Sequence, residues 1–283
     1  MSNLSNSAVL VRLQIRQFNN SRQDPRITDG VKALHKLSGK AGRWIKYKLP
    51  DEALEGVRKA ASSARTKHYD LTLQWEEGYG LLPIAARPKY EAAMSEAREE
   101  FNSAVEAFVE SYPSWIDQAR LMHGDTFNDS DYPTKQTIRN EFDMITLHYP
   151  MPQSSHFTSE LRNLYGAKLE AQTRSKEQEI VEQTFHRLLD PVAKMAERLS
   201  SNDNVFRDSL VENIRDILRL APTLNVTGNR NISNLIADCE AQFAKLDAET
   251  LRTNKVVRKQ AHEAAQAVIN KFGNLGGNRR FVA

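Results

Sequence analysis

One cysteine, Cys239, occurs in 283 residues, so no disulfide can close within the chain and no cysteine-rich zinc module is encoded. Glycine and proline are scarce, at 12 and 10 residues, which argues against an all-β fold with its many tight turns. No apolar run approaches the roughly 18 residues of a membrane-spanning helix. The polar opening, residues 1–7, lacks the basic and apolar segments of a secretory leader, so a cytoplasmic protein is expected. The phosphate-binding patterns G-x-x-x-x-G-K-[ST] and G-x-G-x-x-G are missing, as is the G-x-S-x-G of a hydrolase nucleophile. Gly273, Gly276 and Gly277 follow a helical pattern rather than precede one, so no helix N-terminus is offered there to phosphate. No two of the seven histidines stand three or four apart, so no zinc face is written on a helix. The loop with Asp125, Asp129 and Asp131 has Ser130 and Gln136 where a calcium loop needs glycine and glutamate. We expect it to be solvated, its aspartates making local turns. These absences predict no cofactor, no metal and no locally written active site.

What is present is helical periodicity. Tyr90, Met94, Ala97, Phe101, Val105, Phe108 and Tyr112 step by fours and threes along one stripe. Val181, Phe185, Leu188, Val192, Met195 and Leu199 do the same. Two such stripes suit a long antiparallel helical hairpin, with breaks or kinks expected at Pro113 and Pro191. Later stripes predict a bundle: Phe206 to Ile217, ending before Pro222; Ile232 to Leu246, capped by Asn231 or Ser233; and Val257 to Val268, with Cys239 on a buried face. Between the long stripes' halves, Glu170 to Glu179 is polar all round, the mark of a helix that meets water or a partner. Alternation near residues 9, 44, 71 and 145 predicts four strands of a small antiparallel sheet. In the second, Ile45, Tyr47 and Leu49 form the apolar face, with Lys46 and Lys48 on the other. The stretch from Glu76 to Arg87 reads as a loop. The fold class is therefore mainly α (α+β): a long antiparallel hairpin and helical bundle with a small antiparallel β-sheet. It divides into residues 1–155, sheet plus first long helix, and 156–283, a helical region.

Charge is segregated. Residues 1–69 hold 14 Lys or Arg against 5 Asp or Glu, net +9; residues 252–283 hold 7 against 1, net +6; the middle is net −12. Basic ends around an acidic middle favour self-association or a protein partner. They also suit nucleic acid, by phosphate contact and base stacking. The candidate nucleic-acid contacts are Arg43, Trp44, Lys46 and Lys48, where cations interleave with aromatics, and Arg279 and Arg280 in the tail. The candidate protein interface is Glu170, Lys176, Glu177 and Glu179.

One resemblance adds to this. Leu49-Pro50-Asp51-Glu52, Trp75 and Gly78 with Leu82-Pro83, Glu99-Glu100-Phe101, then Phe108 and Tyr112-Pro113 carry it. On these residues the span from Leu49 to about Pro152 resembles an uncharacterised family, a domain of unknown function, of bacteria and their phages. Its members are often encoded near MoxR-type AAA ATPases and von Willebrand A-like proteins. The resemblance implies an ATPase as partner, in the host cytoplasm if the chain is phage-encoded, and supplies no catalytic residue. The expectation is a non-enzymatic structural or adaptor protein that forms a homo-oligomer or binds a protein partner, with no membrane. The alternative is a nucleic-acid-binding protein.

Overall fold

A computed structural model describes residues 4–200 and 208–276. In chain order it places α1 (Leu4–Ser7), β1 (Ala8–Arg16), β2 (Ser21–Gln23), α2 (Pro25–His35), β3 (Ile45–Tyr47), α3 (Glu55–Leu71), β4 (Leu73–Glu76), β5 (Tyr79–Pro83) and α4 (Arg87–His123). There follow α5 (Lys135–Arg139), β6 (Asp143–Tyr149), α6 (Ser159–Leu199), α7 (Asp208–Leu224), α8 (Arg230–Phe243), α9 (Ala248–Thr253) and α10 (Lys255–Phe272). The protein is mainly α with small antiparallel sheets, as its periodicities predict. Two compact units emerge, one from residues 1–12, 69–91 and 148–283, the other from 13–68 and 92–147.

The first unit is a helical bundle with a piece of sheet. Phe185, Leu188, Val192, Met195 and Leu199 of α6 sit in one core cluster with buried residues of α7, α8 and α10. The C-terminal stripe of α6 is thus covered by a bundle, where a partner in the Tyr90–Tyr112 stripe was expected. Two side chains of α10 reach carbonyls in the last turn of α6. Arg258 Nη2 donates to Arg198 O at 3.1 Å, and His262 Nδ1 lies 2.9 Å from Ala196 O. Asn229 and Asn254, whose side chains accept from the first turns, open α8 and α10; the cap of α8 falls two residues before the expected Asn231. Cys239 is buried in this cluster, and burial pushes its thiol up to about 12.

β4 and β5 form a hairpin in place of the expected loop, with Leu73 opposite Leu81 and Gly78 in a left-handed turn. β5 then pairs antiparallel with the start of β1, Leu10 opposite Leu81. Gly80 is required there, since a Cβ would lie 2.7 Å from Thr72 Oγ1. Gln183 of α6 extends the β4 edge, its side-chain amide exchanging two 2.8 Å hydrogen bonds with the Gln74 backbone.

The second unit holds the rest of β1, with β6 next to β1 in the strand order β4-β5-β1-β6. Val57, Ala61, Ala64 and His68 line the buried side of α3. All seven residues of the α4 stripe are buried, and α4 runs 37 residues through Pro113 without a break. Lys67 of α3 ties to Glu96 and Glu100 of α4 at 3.0 and 3.2 Å. β2 and β3 form a separate two-stranded sheet, so the strand near residue 44 does not join the one that holds residues 9 and 145.

Candidate functional site

The basic N-terminal region folds as a β2–β3 ribbon with α2 beside it. Arg22 pairs with Lys46 and Gln23 with Ile45. Asp24 caps α2 by accepting from Ile27 N at 3.1 Å. Thr28 Oγ1 donates to Asp24 O at 2.6 Å and accepts from Trp44 N at 2.9 Å, fixing the helix to the strand. At the far end Lys36, in the left-handed region, closes the helix three residues before Gly39.

The strand has the expected period and the opposite phase. Ile45 and Tyr47 face solvent, Tyr47 at 62% exposure, while Lys46 is 5% exposed. Its Nζ donates to Thr126 O at 2.7 Å and to Asp131 Oδ2 at 3.0 Å, and the Arg22 guanidinium holds the other oxygen of Asp131. Burial alone would raise the Asp131 carboxyl; the hydrogen bonds and charges of Lys46 and Arg22 outweigh it and hold the group below its ordinary range. Asp131, expected in a solvated loop, is therefore the anchor of this region. Tyr132 reinforces it, stacking on Phe127 and donating to Lys48 O at 2.7 Å. Lys48 is half-buried, its Nζ bonded to Asn19 O at 2.9 Å and set over the Phe18 ring. Of the expected nucleic-acid contacts, Lys46 is withdrawn into the ion pair and Lys48 is largely engaged. Arg43 and Trp44 are exposed, the latter at 50%. Arg279 and Arg280 lie outside the described residues.

Periodicity did not reveal the apolar exposure of α2. Leu34 is 78% exposed, and Val31 and Leu37 also meet solvent. Val31, Leu37, Thr28, Arg43 and Trp44 border a cleft of 180 Å³.

A second candidate surface is the first half of α6. From Ser159 to Glu179 Gly166 is its buried residue, and Leu161, Leu164 and Tyr165 are exposed. Arg162 steadies its start by donating to Ser154 O at 3.1 Å and Phe157 O at 3.2 Å. The expected interface residues lie further along. Lys176 pairs with Glu179 at 2.7 Å, and Glu170 accepts from Ser154 Oγ at 3.1 Å. Glu177 is half-buried, and burial raises its carboxyl. Glu170 and Glu177 border a cleft of 520 Å³ together with Leu4, Met151, Leu169 and Arg174, so one flank of this polar stretch faces protein.

Among the described residues no group of three His, Cys, Asp or Glu side chains is placed to hold a metal, and no helix is long and apolar enough to cross a membrane. No family model matches the chain, and no curated protein or solved structure matches it.

Proposed function

We propose that the protein is a non-enzymatic structural or adaptor protein that works by binding protein, either a second copy of itself or another chain. The observation that supports this reading is the first half of α6. In proteins most of a helix's stability comes from packing an apolar face rather than from propensity. This one keeps Leu161, Leu164 and Tyr165 at helical spacing on its exposed side. A partner that covers them would stabilise the helix it binds. The resemblance to the phage and bacterial family adds an AAA ATPase as a candidate for that partner. Light scattering coupled to size exclusion tests self-assembly. The expected mass exceeds that of the 32.2 kDa chain. Leu164→Asp should return it to the single-chain value with the melting temperature unchanged. A strict monomer at high concentration would remove the self-assembly branch.

A second reading, nucleic-acid binding, draws support from Trp44 and Tyr47, aromatics at the surface beside Arg43. Stacking on such side chains is worth roughly 1–3 kcal/mol per base. Fluorescence anisotropy with oligo(dT) and with duplex DNA over a salt series tests it. Binding that falls steeply with salt and is lost in Trp44→Ala is the outcome this reading expects.

A further inference from the structure

The α2–β3 surface carries features that neither reading uses. β3 is an edge strand, with β2 as its neighbour in a two-stranded sheet. The Lys48 N–H bonds to Asn20 O, and the Asp24 N–H to Trp44 O, so residues 44, 46 and 48 direct their backbone toward β2. By the alternation of an antiparallel pair, Ile45 and Tyr47 direct their N–H and C=O groups to the opposite edge. Exposed strand edges are templates for another strand.

Trp44, the residue before β3, borders with Val31 and Leu37 the 180 Å³ cleft, room for an apolar side chain. Around both, positive charge predominates. Residues 22–48 carry eight Lys or Arg and two acids, Asp24 and Asp29. Asp24 is occupied as the cap of α2, and the Asp131 carboxylate is spent on Arg22 and Lys46. Among the described residues no carboxylate pairs with Lys32, Lys36, Lys40 or Arg43.

We infer that this surface takes an extended acidic peptide segment of a partner protein, which adds as a strand to the free edge of β3. Backbone hydrogen bonds to residues 45 and 47 supply the register. One apolar side chain enters the cleft, and acidic residues meet Lys40 and Arg43. The exposed aliphatic side chains Val31, Leu34 and Leu37 add to Trp44 and Tyr47 an apolar surface that suits a peptide's side chains. This inference goes beyond the α6 reading and stands on different residues.

The test selects from a random dodecamer peptide library displayed on phage, with the full-length protein as bait. Expected are enriched sequences that alternate apolar residues at period two and carry two or more acids. Synthetic copies should lose at least tenfold in affinity against a K40E/R43E variant, whose sites are exposed and whose fold should be intact by circular dichroism. They should lose as much when their alternate amides are N-methylated on the pairing edge, and little when methylated on the other. The N-methyl arm leaves the protein untouched, so instability of a variant cannot mimic the result. Absence of enrichment, a consensus at helical spacing, equal loss from both methylation patterns, or displacement of the peptide by oligo(dT) with equal or better affinity would each overturn the inference. An effect of Leu164→Asp on oligomer size without one on the peptide separates this surface from that of α6.

Discussion

Asp131 and Lys46 hold opposite charges where water barely reaches, each side chain 5% exposed. Removing one partner of such a pair leaves a buried charge uncompensated, at a cost of about 3–5 kcal/mol. Asp131→Asn should destabilise by that amount in urea unfolding, while Lys46→Met with Asp131→Leu should recover most of the loss. The carboxyl is held below its unfolded value, so its contribution is complete above the unfolded pKa, near 4, and is lost as pH falls through the folded one. The acid limb of the stability profile should flatten in Asp131→Asn. Tyr112 is the reverse case. Its hydroxyl is buried without a hydrogen-bond partner among the described residues, and burial pushes its pKa up to about 12, with Tyr132 adding to the shift. Tyr112→Phe should be neutral or stabilising by up to about 1 kcal/mol in thermal melts. Neither side chain's role was legible in the sequence. The alternation around Trp44 was visible, but its phase depends on a carboxylate 85 residues away, and no local pattern records that.

At the level of elements the sequence was more informative, because a buried helical face must repeat at its own period whatever covers it. The stripe of α4 is buried throughout, and those of α6, α8 and α10 are buried apart from the half-buried Val181, Leu246, Val257 and Ala264. Prolines misled. Helix α7 continues through Pro222, where an end was expected, and α4 runs on through Pro113 without a break; α6 also continues through Pro191, where a kink rather than an end was expected. A single missing N–H is outweighed when apolar contacts lie on both sides, as Tyr112 and Ala119 do around the exposed Pro113. Its cost persists, so Pro113→Ala should raise stability by about 1–3 kcal/mol, read as a higher melting temperature. β5 escaped because Gly78, Gly80 and Pro83 read as turn chemistry. Gly80 is instead the residue that lets Thr72 approach the hairpin. The exposed α6 segment was legible as a polar stretch from Glu170 to Glu179, but the exposure of Leu161, Leu164 and Tyr165 before it was not.

For the whole molecule, composition identified the class and not the path of the chain. The C-terminal cluster draws every buried member from Phe185 to Phe272. A fragment of residues 156–283 should therefore stay helical and melt cooperatively by circular dichroism. It should melt below the full chain, since the fragment leaves behind the Gln74 backbone that Gln183 engages. The rest of the first unit comes from stretches far apart in sequence, and the chain crosses between the units four times. The crossings fall after residues 12, 68, 91 and 147, inside β1, α3, α4 and β6. Every one lies within a helix or a strand. In genetic terms the two units are not cassettes. A recombination event with a single crossover cannot exchange either of them whole, and an in-frame insertion at any of the four boundaries would interrupt a hydrogen-bonded element. Change in this protein should therefore accumulate by substitution on its exposed surfaces, with the two units inherited together.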